Sequence, residues 1–209
     1  MCFSATASLL AGGALTAAGA ATLPLARDKR ELPLASVPLL FGIQQITDGV
    51  VWLSFGAPAV HTAAVYVYAF FAAVLWPAFV PFSVLLVERS RERKEALGAL
   101  SLVGLGVGLY AAYIMLTSPV TAHVVNHCVA YDAPNPLGFV LLAFYLIASC
   151  GPFFVVRERA LNAFGVALFV SFAIAWWFYV ETFPSVWCFF AAVLSFLLYL
   201  RFKRRRARA

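Results

Sequence analysis

The chain has 209 residues, of which 64% are hydrophobic and 11% charged. Soluble domains carry about 25% charged residues, so this composition excludes a soluble fold and predicts an all-α, polytopic integral membrane bundle. The 15 Lys and Arg against 9 Asp and Glu give a net charge of +6, but the basic residues cluster between apolar runs, which points to a lipid bilayer and not to nucleic acid as the partner.

Seven apolar segments follow in chain order, at 3–25, 33–55, 62–87, 96–116, 136–156, 160–182 and 184–202. Each is close to the roughly 20 residues that cross a hydrocarbon core as a helix. They form a single domain over 1–209, with a basic tail at 203–209. No positive charge precedes the first segment and Arg27, Lys29 and Arg30 follow it, the reverse of a cleavable signal. An uncleaved first helix is therefore expected, and Cys2 does not read as a lipoprotein cysteine.

The second segment contains Asp48, with Gln44 and Gln45 about one turn before it and Trp52 one turn after. A carboxylate at such depth costs roughly 2.5–3.5 kcal/mol on insertion scales, which makes it a functional-site hypothesis by default. Glycines mark the first helix (Gly12, Gly13, Gly19) and the fourth (Gly104, Gly108). Small residues let helix backbones approach closely; close contact within the bundle is the plainer expectation, and a homo-oligomer through the fourth helix is the alternative.

The long connection 117–136 carries His123, His127, Cys128, Tyr131 and Asp132. The last two segments are divided by Thr182, Phe183 and Pro184, which leaves a six-helix count with one kinked helix as an alternative. Charge decides for seven. All Lys and Arg fall on alternate connections: 27–30, 89–94, 157–159 and the tail from Arg201. The positive-inside rule makes those connections cytoplasmic, with the N-terminus outside and the C-terminus inside. The tail could also attract anionic lipid head groups, although a topology anchor is the plainer reading.

This orientation gathers most chemistry-bearing side chains toward the outer face. Gln44, Gln45, Asp48, Trp52, Glu181 and Trp187 are expected to line an outward-opening polar pocket. Cys2, His123, His127, Asp48, Glu181 and Cys188 are its candidate metal ligands, a mixed set suited to zinc or copper. A metal with an open position could activate water for hydrolysis at the membrane surface. Each residue also has a plainer reading: Asp48 as a packing hydrogen bond, Glu181 as an interfacial carboxylate, the histidines as surface residues and Cys188 as a small packing residue. Cys2, Cys128 and Cys188 could supply one disulfide and a free thiol. The alternatives in function are a proton- or cation-coupled transporter or channel using Asp48, and a redox or ligand sensor or accessory subunit. A retinal Schiff base is excluded because Lys29, Lys94 and Lys203 all lie outside the spans, and buried bis-histidine haem is disfavoured because no span holds a histidine.

Four stretches carry a resemblance: Met1 to Ser8, Leu39 through Gln45 to Asp48 and Trp52, His127 to Tyr131, and Ser185 to Ala192. Together they resemble an uncharacterised family of bacterial multi-pass membrane proteins, a domain of unknown function. The resemblance spans nearly the whole chain. It implies a membrane fold in a bacterial cytoplasmic (inner) membrane and draws attention to Cys2, Gln45, Asp48, His127 and Cys188. It implies no activity.

Overall fold

The computed structural model describes residues 4–134 and 136–207. The protein is 83% helical, with seven helices long and apolar enough to span a membrane. Helix α1 covers Ala5–Thr22, capped by the Ser4 hydroxyl accepting from the Ala7 amide. Helix α2 covers Leu32–Leu53 and is the most buried of the seven spans. The third span is composite: α3 (Pro58–Ala69), a π-helical segment (Phe70–Leu75) and α4 (Trp76–Val87). Helix α5 covers Arg91–Thr117, α6 Gly138–Val155, α7 Arg159–Phe178 and α8 Phe183–Ala207. The chain breaks between α7 and α8 at Tyr179 and a short 3-10 turn, Val180–Thr182, so two helices stand where Thr182, Phe183 and Pro184 divide the sequence.

Large apolar side chains cover the outside of the bundle, with Leu116 88% and Trp177 82% exposed. Such a surface is far more apolar than water tolerates over a soluble monomer. Gly12, Gly19, Gly42, Gly104 and Gly108 face neighbouring helices instead. A Cβ on Gly19 would lie 2.3 Å from the Leu39 backbone, and one on Gly42 2.5 Å from Thr16, so α1 and α2 touch through their main chains. Gly104 and Gly108 likewise face Pro77 and Val74 of the third span. The glycine face of α5 is thus occupied within the chain.

One region departs from the all-helical expectation. The connection after α5 folds into an antiparallel hairpin, β1 (Thr121–Val125) and β2 (Cys128–Asp132), paired with Val125 opposite Cys128. Asn126 and His127 form its two-residue turn with φ of 48° and 61°, the left-handed pair that a tight hairpin turn requires. Val129 is fully buried and packs with Val51, Ala64, Val65 and Val120. The hairpin therefore closes the end of the bundle formed by α2 and α3.

The basic connections meet at the other end. Arg205 pairs with Glu31 at 2.8 Å, Arg206 donates to the Pro24 carbonyl, and Arg201 forks onto Glu158. Arg93 also forks onto Glu88, at 2.9 and 3.0 Å, while the Arg89 and Ser90 amides donate to the same carboxylate. The Arg93 guanidinium, aided by those amides and opposed by burial, holds the Glu88 carboxyl down to about 2 from an ordinary 4.5. A depressed carboxylate stabilises the fold above its ordinary value, and that contribution disappears as pH falls through the folded value. The melting temperature in detergent should therefore drop between pH 4.5 and about 2. Glu88→Gln should start lower at neutral pH and show a shallower fall; an unchanged profile would remove Glu88 from the acid response.

Candidate functional site

Asp48 is 2% exposed, on the inner face of α2. Its two oxygens are separately engaged. Ser8 of α1 donates to Oδ2 at 2.7 Å, and Tyr131 of β2 donates to Oδ1 at 2.9 Å. Both oxygens accept from hydroxyls, one from a neighbouring helix and one from the hairpin. The sequence explains this convergence. Gly12, Gly42 and Gly49 bring α1 against α2, and the buried Cys128–Ala130 run of β2 carries Tyr131 into the bundle. The Tyr131 ring stacks on Tyr68 at a centroid distance of 4.2 Å and an interplanar angle of 8°, which fixes where its hydroxyl points.

One turn below Asp48, the Gln44 Oε1 accepts from the Trp76 indole N–H at 2.7 Å. Trp76 also stacks on Phe41 at 3.9 Å. Gln44, Tyr68 and Asp48 all neighbour the buried Cys188 thiol. Gln45 is buried, and among the described residues neither its Oε1 nor the Trp52 indole N–H has a hydrogen-bond partner.

Trp76 immediately follows the π-helical segment. Such bulges are frequent at functional sites because they turn carbonyls out of the helical ladder. Here the Ala72 carbonyl accepts from the Tyr145 hydroxyl at 2.6 Å. Ala72 and Ala73 line two cavities, of about 470 and 290 Å³, and Tyr131 borders both. The larger is walled by aromatic rings, including Trp176, Phe183 and Trp187, and reaches Cys188 and Glu181. Trp187 is held by its indole N–H on the Leu168 carbonyl at 3.3 Å.

Not all the expected pocket residues meet. Glu181, Trp187 and Cys188 share the larger cavity, and Asp48 adjoins it through Tyr131. Gln44 and Gln45 sit deeper among the helices, while Trp52 packs edge-on against Phe55 at the helix end. His123 pairs with Asp132 at 2.7 Å on the exposed hairpin. His127 occupies the turn, exposed. A helical i, i+4 relation between these histidines does not exist, because a β-hairpin replaces the loop. Cys2 lies outside the described residues. Cys128, Cys150 and Cys188 are buried free thiols.

These neighbours do not fit a metal. Among the described residues no three His, Cys, Asp or Glu side chains come together as ligands. The Asp48 oxygens accept from hydroxyls instead. The two residues that sequence reasoning leaves without a role are Ser8 and Tyr131. Both lie inside the stretches that carry the family resemblance, which was the available signal.

Comparison with known families bears that resemblance out. A family model covers residues 1–209, the whole chain. The chain belongs to DUF6629, a family of unknown function. No curated protein matches it, and no solved structure matches it either.

Proposed function

We propose that this DUF6629 chain is a multi-pass membrane protein in which Asp48 is a proton- or cation-accepting site serving transport. The seven apolar helices support the membrane reading, and the segregation of basic residues supports a cytoplasmic basic end with the hairpin outside. The observation that carries the functional reading is a buried carboxylate connected by one hydroxyl to a cavity. Tyr131 touches Asp48 on one side and borders about 470 Å³ of aromatic-walled space on the other.

The chemistry follows from donor counting. An ionised Asp48 uses the Ser8 and Tyr131 hydroxyls as donors. A proton arriving on Oδ1 makes that oxygen a donor with less acceptor capacity, which weakens the bond it accepts from the Tyr131 hydroxyl. A cation arriving there displaces the same hydroxyl toward the cavity. Either event links the charge on Asp48 to the position of Tyr131, which supports a site coupled to its cavity. A bacterial cytoplasmic membrane is the setting we assign, on the family resemblance.

Purified protein in proteoliposomes should carry a proton, sodium or potassium flux. Asp48→Asn should reduce that flux at least about tenfold, as expected for an essential intramembrane carboxylate. Tyr131→Phe should slow it while Asp48 remains. Asn at position 48 keeps the shape of the side chain, so a normal melt with lost flux separates transport from folding. Wild-type flux in Asp48→Asn, or no flux of any of the three ions in the wild type, would overturn the reading.

A further inference from the structure

At the basic end, the connections between helices enclose a cleft of about 380 Å³. It lies at the opposite end of the bundle from the hairpin and does not depend on the role given to Asp48. Its walls carry five arginines and three glutamates, a formal charge of +2. The pairing inside it is uneven. Arg93 takes Glu88, Arg201 takes Glu158 and Arg205 takes Glu31. All three carboxylates are thus neutralised. Arg89, after α4, and Arg157, between α6 and α7, line the same cleft, and neither has a carboxylate partner among the described residues. Arg201 of the same cleft is buried, and among the described residues its Nη1 has no hydrogen-bond partner even though Nε and Nη2 fork onto Glu158. The apolar part of the wall is Val87, Val156 and Leu161.

Two unpaired guanidinium groups from separate connections, converging over a cleft whose acids are already spent, form a receptor for a multi-oxygen anion. Guanidinium forks match phosphate geometry with two parallel N–H donors each. A carboxylate can fill one such fork with both of its oxygens, whereas a phosphate has further oxygens for the second guanidinium. We infer that this cleft binds a phosphate-bearing anion between Arg89 and Arg157. The same chemistry could be presented by a phospholipid head group at the membrane surface or by a free phosphate in solution, and the apolar wall beside the arginines is compatible with either.

The test uses full-length protein in detergent, with two probes. Phosphatidylglycerol retention, against phosphatidylcholine, is read by native mass spectrometry; inorganic phosphate binding is read by titration calorimetry. Arg89→Gln/Arg157→Gln removes the two exposed, unpaired cations and leaves all three ion pairs intact. Lys29→Gln/Lys203→Gln removes the same charge outside the cleft. The arginine double variant should lose at least about tenfold in affinity, since two charge-assisted contacts disappear, while the lysine variant should change less than about twofold. Retention of phosphatidylglycerol without phosphate binding assigns the site to a lipid, and phosphate binding assigns it to a soluble anion. Binding of neither probe by the wild type, or equal losses in the two variants, would overturn the inference.

Discussion

Gly104→Ala should destabilise the protein by about 3 kcal/mol or more, at the upper end of overpacking effects. The reason lies near the start of the facing helix, α4. Pro81 has no N–H to give to the carbonyl four residues earlier, and its ring pushes that carbonyl outward. That carbonyl belongs to Pro77, and a Cβ at Gly104 would sit 1.8 Å from its oxygen and 2.7 Å from its carbon. The obstacle is backbone, so no rotamer change relieves it; α4 and α5 must separate. The Gly108 contact with the Val74 carbonyl, 2.8 Å from a Cβ, would open with them. The internal control is Gly106→Ala on the same helix, where a Cβ meets nothing within 4 Å. That change should be neutral or stabilising by up to about 1 kcal/mol through helix propensity. Thermal unfolding of both variants in detergent checks the pair. Equal melting temperatures would mean that α4 and α5 do not meet as described.

The second large effect is expected at the basic end. Glu158→Gln should cost about 3 kcal/mol, because it leaves the Arg201 guanidinium buried, with its side chain 4% exposed, and without its counter-ion. Removing one partner of a buried pair typically costs about 3–5 kcal/mol. The lower end applies here, since the Glu158 side chain is 39% exposed and water screens part of the pair. Replacing both members, as Glu158→Gln/Arg201→Met, should recover most of the loss, because a buried ion pair is often matched by apolar packing. Denaturation midpoints of the single and double variants distinguish this from a generic loss of surface charge. A single variant within about 0.5 kcal/mol of wild type would show that water reaches Arg201.

The helices were legible because each boundary has a chemical mark. Pro33, Pro58 and Pro184 fall in first turns, and the arginine clusters stop the apolar runs. Asp48 was legible through its cost alone. Its partners were not, since a serine in an Ala-rich helix and a tyrosine in a connection cost little wherever they sit. The hairpin was hidden for a related reason. Its turn carries His127 where glycine would advertise a left-handed residue, and Cys128, Val129 and Ala130 are buried without the alternation that marks a half-exposed strand. The metal expectation grouped residues by the face they shared, but the hairpin uses His123 in its own exposed pair with Asp132. The π-helical turn at Phe70–Leu75 has no sequence mark at all, being apolar throughout like its neighbours.

The sequence separation between Asp48 and its two donors also fixes an order of events during synthesis. Ser8 lies 40 positions before Asp48, whereas Tyr131 lies 83 positions after it. When α2 emerges from the ribosome, α1 is already made, and the two can pair with one carboxylate oxygen satisfied. The other must wait until two further spans and the first strand have been translated. A chain cut off before β2 would therefore hold a half-satisfied acid among its helices, a state that quality control could recognise as unfinished.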